Sequence, residues 1–295
     1  MDQDRRSFDV AGIETCVYDT GPRPGAPTVV MLHGGDPRSL ANALDWSTVW
    51  DPTGLDARLV AYDKPGQGLT YSAELPDEAM SAPRISAHLE ALLDTLGEEP
   101  VVLVGHSRGA LPVADVATRR PERVRGLVLV SSNTLAPHSP LTPADFYPRA
   151  YADPPPEPTV EYVRREPEMN SWGSDHVDDV LVAGRMRGAR SNGWWQDLPR
   201  RSRVSEEVVR PSLEPLRARV LDDVAEHGLA MPVLQVWGQE DVSAPVALAH
   251  ALFATIARRT PQCASLVLNR SGHYVYRERA HAFRVALRVF LDELR

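Results

Sequence analysis

A chain of 295 residues, 43% hydrophobic and 24% charged, has room for one large core with an inserted subdomain. A net charge of −8 argues against nucleic acid as partner, and no apolar run approaches the roughly 18 residues of a membrane span. The polar start Met1-Asp-Gln-Asp-Arg-Arg6 lacks the apolar centre of a signal peptide. Cys16 and Cys263 stand in no metal spacing, so packing roles in a reducing cytoplasm are expected.

In chain order, Phe8 to Asp19 suits an antiparallel edge hairpin. Short, nearly continuous apolar runs then recur at 28–32, 57–62, 100–104 and 126–130, as expected of strands covered on both faces. Amphipathic stretches at 82–96 and 108–119 alternate with them, which predicts a mainly parallel α/β sheet. After Val130 the rhythm breaks into a proline-rich stretch with amphipathic pieces at 178–189 and 213–225. Strands at 232–237 and 265–268 and helices at 246–257 and 281–294 resume the pattern. The organisation expected is a core over 1–134, a helical cap over 135–230 and the rest of the core over 231–295. A separate C-terminal domain fits less well, because only two strand runs follow the break. No internal repeat is visible.

Gly105-His-Ser-Arg-Gly109 lies between an apolar strand and a helix, the setting that a nucleophile elbow needs. The bare pattern is weak, but other segments fall in order around it. A serine hydroxyl needs a base and an acid that orients the base. Among nine histidines, His273 in Arg270-Ser-Gly-His-Tyr274 follows the last strand, and Asp241 in Trp237-Gly-Gln-Glu-Asp241 follows the one before, with Glu240 as the rival acid. Leu32-His-Gly-Gly35 follows the 28–32 strand, and its glycines let backbone approach an oxyanion. The oxyanion donors expected are the N–H groups of Gly35 and Arg108, with His33 structural. Tyr62-Asp-Lys-Pro-Gly-Gln-Gly68 is a glycine-rich turn after a strand. No metal site or nucleotide loop is indicated, and no cofactor is expected.

Together these segments resemble the α/β-hydrolase superfamily over nearly the whole chain, including the order Ser107, Asp241, His273. Within it the chain is similar to the meta-cleavage product hydrolases, which hydrolyse a carbon–carbon bond in vinylogous 1,5-diketones bearing a dienol carboxylate. The similarity rests on His33-Gly-Gly with Trp46, on Asp63 to Gly68, on Pro121 to Val128, on Trp237 to Pro245 and loosely on the cap segment 178–195. Proline iminopeptidases share several of these signatures. The resemblance implies a small-molecule substrate met by Gly34, His106, Arg190, Trp194 and Tyr274, and allows a homodimer.

The chain departs from that group at several places. His106 and Arg108 replace the usual Asn and Met around the serine, Tyr274 replaces Trp, and Asp36-Pro37-Arg38 replaces Gly-Pro-Gly. The group's carboxylate-holding cap arginine aligns near Asn192 or Gly193, with Arg187 and Arg190 nearby. These changes leave the triad and alter the pocket. Arg108 either faces the pocket or braces the cap through a salt bridge; Trp194 and Trp195 either roof the pocket or pack the cap. Ester or lactone hydrolysis is the alternative chemistry. A peptidase would need cap carboxylates, for which Glu166, Glu168, Asp175, Asp178 and Asp179 are available. An inactive ligand-binding relative is a third reading. Epoxide hydrolases and haloalkane dehalogenases require Asp where Ser107 stands.

Overall fold

The computed structural model describes residues 1–137 and 146–295; residues 138–145 of the expected cap lie outside the described residues. Among the described residues, eight strands form one sheet in the order β1-β2-β4-β3-β5-β6-β7-β8. They are β1 (Arg5–Val10), β2 (Ile13–Asp19), β3 (Thr28–Leu32), β4 (Arg58–Tyr62), β5 (Val101–His106), β6 (Val124–Val130), β7 (Val233–Gly238) and β8 (Cys263–Leu268). The β1–β2 hairpin is antiparallel and joins β4 antiparallel; every pairing from β4 to β8 is parallel.

Period-two alternation sends Val30 and Leu32 to one face and Val29 and Met31 to the other, and both faces are apolar. The first face is covered by the helices Ala82–Leu96, Ala110–Arg119, Arg210–His227 and Val246–Ala257. The second is covered by the turn Ala43–Val49 and the helix Ala280–Glu293. Each fully buried Val or Leu contributes roughly 1.5–3 kcal/mol of transfer free energy. The helix Ala82–Leu96 shows how sequence sets the layer. Proline starts it, Ile85, Leu89, Leu92 and Leu93 form its buried stripe, and Gly97 ends it at φ +126°.

The inserted helices Val160–Met169, Asp179–Arg190 and Leu198–Val204 lie over the C-terminal ends of the strands, where ligands bind in such sheets. A π turn, Ser205–Val209, leads from the last of these into Arg210–His227. That helix buries Leu216, Val220 and Val224 beside Ala110–Arg119, so the insertion's final helix returns to the sheet layer.

Candidate active site

The serine sits where β5 turns into the following helix. Ser107 is buried and has φ +52°, a left-handed conformation that non-glycine residues adopt only under constraint. The constraint comes from its flanks. A Cβ on Gly105 would lie 2.6 Å from the Gly109 carbonyl oxygen, and one on Gly109 would lie 2.6 Å from the Leu32 and His33 carbonyl oxygens. Only glycine lets β3, β5 and the helix meet this closely. Ser132 Oγ donates to the Ser107 carbonyl at 2.7 Å and fixes the turn from the β6 side.

His273 and Asp241 come from the loops after β8 and β7. His273 Nδ1 donates to Asp241 Oδ2 at 2.8 Å. The other carboxylate oxygen accepts the Ser243 and Ala244 N–H groups at 2.9 and 2.7 Å, which fixes its rotamer. Burial alone pulls the imidazole towards neutrality. The Asp241 charge and hydrogen bond outweigh it, and the pKa of His273 lies above the ordinary histidine value. Glu240, the rival acid, instead accepts the Ser271 N–H at 3.0 Å. With Nδ1 committed, Nε2 is the nitrogen left for Ser107. Among the described residues no Ser107–His273 hydrogen bond is formed, a looseness common before substrate binds. The His106 ring lies 4.6 Å from the His273 ring, and its Nε2 donates to the His273 carbonyl at 3.0 Å. Burial keeps His106 neutral, so its Nδ1 is an acceptor, without a hydrogen-bond partner among the described residues.

The loop after β3 closes the other side. A Cβ on Gly34 would lie 2.9 Å from Ser107 Cβ, so this glycine abuts the serine. His33 is fully buried: its Nδ1 donates to the Gly34 carbonyl at 2.9 Å and its Nε2 accepts the Lys64 N–H at 3.2 Å. In a trans peptide the N–H points away from the carbonyl, so His33 turns the Gly35 N–H outward. Gly35 adopts φ +76°, and Lys64 Nζ donates to its carbonyl at 2.9 Å. Arg108 reaches Asp36 Oδ2 at 3.5 Å, and Asp36 also accepts Arg38 and the cap hydroxyl of Ser205 at 3.0 and 2.7 Å. Among the described residues Arg108 thus pairs with the loop after β3 and reaches the cap only through Asp36, which Ser205 also contacts. Asp63 explains its glycine-rich turn: its two oxygens accept the Ala43 and Leu69 N–H groups, each at 2.7 Å, and any Cβ on Gly68 would strike it.

The cap places its arginines otherwise than the sequence alignment suggests. Arg190 is exposed beside Ala183, Met186 and Ser191, with no hydrogen bond or ion pair to the Ser107–His273 group among the described residues. It lies on the outward side of its helix. The buried cation on that helix is Arg185. Its Nε and Nη2 reach Asp45 at 3.2 and 2.9 Å, its Nη1 reaches Glu166 at 3.1 Å, and Nη2 also reaches the Tyr274 hydroxyl at 2.9 Å. Tyr274 donates to Glu166 Oε2 at 2.7 Å, so the residue after His273 is locked into this cluster. Trp194 is buried against Tyr71, Tyr162 and Trp195 with the Arg201 guanidinium 4.0 Å above its ring, which is cap packing. Tyr147 and Tyr151, missed in the sequence, stack at 6.0 Å. Burial and the charge of Glu166 raise the pKa of both, and Asp241 and Arg108 also act on Tyr147.

The cap also holds the histidine loop directly. Asn170 accepts the His273 N–H at 2.8 Å. Glu278 accepts Gly272 N–H through one oxygen at 2.7 Å, and Trp172 and Gly173 N–H through the other at 2.8 and 3.1 Å. Among the described residues no three His, Cys, Asp or Glu side chains group as a metal site would require. No helix among them is long and apolar enough to cross a membrane.

A sheet of this topology with a serine at the turn after its central strand defines a serine-dependent hydrolase architecture. The profile of the Alpha/beta hydrolase family matches residues 29–286, and the chain belongs to that family. It is 27% identical over 271 residues to 2-hydroxy-6-oxononadienedioate/2-hydroxy-6-oxononatrienedioate hydrolase of Cupriavidus pinatubonensis, covering 90% of this chain and 86% of that one. It is 27% identical over 288 residues to 2-hydroxymuconate semialdehyde hydrolase of Pseudomonas sp. strain CF600, covering 98% and 94%. Its fold matches a meta-cleavage product hydrolase from Pseudomonas fluorescens IP01 with TM-score 0.74 over 98% of both chains at 19% identity. It also matches the thioesterase domain from the curacin biosynthetic pathway with TM-score 0.71 at 20% identity, over 96% of this chain and 98% of that one. The chain is thus an enzyme of this fold resembling the carbon–carbon bond hydrolases that act on small carbonyl compounds.

Proposed function

We propose that Ser107 is the nucleophile, His273 the general base and Asp241 its orienting acid in hydrolysis of a small carbonyl compound. The carrying observation is the Asp241–His273 hydrogen bond at 2.8 Å beside a serine held at φ +52°. In this reading His273 Nε2 takes the Ser107 proton as Oγ bonds to the substrate carbonyl carbon. The Gly35 and Arg108 N–H groups hold the resulting oxyanion. The carbonyl re-forms, the leaving group departs with the proton from His273, and water then releases the acyl group by the same steps.

The bond cleaved is proposed to be carbon–carbon, next to a ketone in a vinylogous 1,5-diketone. The similarity to hydrolases of that kind over 90–98% of the chain supports this. His273 would first move a proton to tautomerise the dienol, so that the leaving carbon departs as a stabilised carbanion. Ester or lactone hydrolysis is the second reading, favoured by the likeness in fold to a thioesterase. The setting proposed is a cytoplasmic enzyme, consistent with two free cysteines, acting as a homodimer, which sedimentation velocity would check.

The deciding experiment compares wild type with Ser107→Ala on a dienol diketone, p-nitrophenyl esters, a lactone and a prolyl amide. Preferential turnover of the diketone, lost in Ser107→Ala, is expected. Turnover of esters or lactones alone would move the assignment to the second reading. Turnover that survives Ser107→Ala on every substrate would remove the serine from the mechanism.

A further inference from the structure

The buried cluster beneath the cap contains one cation and two carboxylates. Every nitrogen of Arg185 is engaged, two with Asp45, one with Glu166, and one of these shared with Tyr274. The guanidinium and Asp45 side chains are 2% and 0% exposed, whereas Glu166 retains 10%. Glu166 is therefore the member that fronts the space between cap and sheet. Three further observations place it there. Its Oε1 accepts Asn170 Nδ2 at 3.1 Å, and the Asn170 carbonyl accepts the His273 N–H. Its Oε2 accepts the hydroxyl of Tyr274, the neighbour of His273. Its charge acts on His273, Tyr147 and Tyr151 alike.

The other cations around the serine are engaged only in part: Arg108 Nη1 is buried with no hydrogen-bond partner among the described residues. Arg108 and Arg38 both face Asp36, and Lys64 donates to the Gly35 carbonyl. At the cap-facing end a substrate carboxylate would meet Glu166 first and could reach Arg185 only by displacing it. Displacement would leave Glu166 buried without its cation, which is strongly unfavourable.

We propose that Glu166 is the resident carboxylate of the substrate pocket, and that the site selects carbonyl substrates uncharged at their cap-facing end over substrates carrying a carboxylate there. The proposal rests on the hydrolase reading above for which space receives the substrate. It differs from simple inheritance of the carboxylate-bearing substrates for which the relatives are named.

Binding separates the two ideas. Affinities of 6-oxoheptanoate and its methyl ester for the Ser107→Ala protein, measured by calorimetry, need no turnover. The ester is expected to bind at least about tenfold more tightly, since like charges juxtaposed in a buried site oppose binding. Adding Glu166→Gln to Ser107→Ala should move the ratio towards the acid by at least about tenfold. Equal binding, preference for the acid, or no measurable binding of the ester overturns the proposal. So does an unchanged ratio in a folded Glu166→Gln protein. If that variant does not fold, the ratio in Ser107→Ala alone decides. Loss or survival of turnover in Ser107→Ala tests the nucleophile assignment separately.

Discussion

Asn170, the residue that ends the cap helix Val160–Met169, accepts the backbone N–H of His273 at 2.8 Å. The cap therefore sets the height of the histidine loop over the sheet as well as covering the site.

Gly272 tests this contact. A Cβ there would lie 2.7 Å from the Asn170 carbonyl oxygen and 2.8 Å from Ser171 Cα, both backbone atoms. Gly272→Ala should push cap and histidine loop apart, lowering kcat/KM on the order of 10²-fold, as small displacements at reacting groups do. Gly173→Ala, whose Cβ meets nothing within 4 Å, should stay near wild type. Equal activity of the two variants would sink the argument.

Gly35→Ala keeps the backbone N–H but should displace it. As this is the proposed oxyanion donor, kcat should fall by about 10²–10³, as when such a donor is lost. Its Cβ would strike Ser39 and it sits at φ +76°. Gly25→Ala is the control for backbone strain alone: φ is +77° and its Cβ meets nothing within 4 Å. It should lose stability without losing kcat.

In the proposed mechanism His273 must be neutral to accept the serine proton. Burial opposes the charged imidazole, but Asp241 more than offsets it, so the acid limb of kcat/KM should fall above the ordinary histidine value of 6.5. Asp241→Asn removes the charge that holds the value up. Its limb should move to lower pH than that of wild type, with a rate loss on the order of 10²–10⁴. A limb that stays in place in the pH–rate profile would contradict the coupling.

Burial, with Arg108 nearby, depresses the pKa of Lys64 to about 7. The unfolded chain keeps that proton up to the normal lysine range near 10.4. Between these values the unfolded state binds more protons, so the Lys64 contribution to stability rises with pH from about 7 to about 10. Urea unfolding at pH 6.5, 8 and 9.5 checks this. The difference between wild type and Lys64→Met should grow with pH in favour of wild type; a constant difference would refute it.

Arg185→Met should destabilise the protein by about 3–5 kcal/mol, because Asp45 and Glu166 would stay buried without their cation. Chemical unfolding reads this directly, and a loss under 1 kcal/mol would show that water replaces the guanidinium.

Much of the sheet was legible because its strands are covered on both faces and read as continuous apolar runs: 28–32 is found as predicted, and β5 extends the expected run only to His106. The helices 82–96 and 246–257 also match, since one amphipathic stripe and its terminators define each. That Ser107, Asp241 and His273 each follow a strand was legible in the order of apolar runs. The cap arginine was misplaced for a reason visible afterwards. Leu181, Arg185 and Ala189 are spaced four apart on the buried stripe, whereas Ala183 and Arg190 lie on the exposed side. A charge on an apolar stripe was the available signal. Its partners, Asp45 and Tyr274, lie 140 and 89 residues away, beyond the reach of local pattern. Tyr147 and Tyr151 follow a proline-rich stretch with no periodicity to orient them.

Glu278 closes contacts with Trp172 and Gly173 that span 106 and 105 residues of chain. Loops of that length form late, because their closure entropy is met before the contact forms. During refolding the helices and the β1–β5 part of the sheet should form first. The β6–β7 pairing, Leu127 with Val233, closes a loop as long as the cap contacts, and the histidine should gain its working position only when these late contacts form. Far-UV circular dichroism would then recover ahead of turnover, and Glu278→Gln would widen the gap between the two. Simultaneous recovery would mean that cap and sheet fold as one unit.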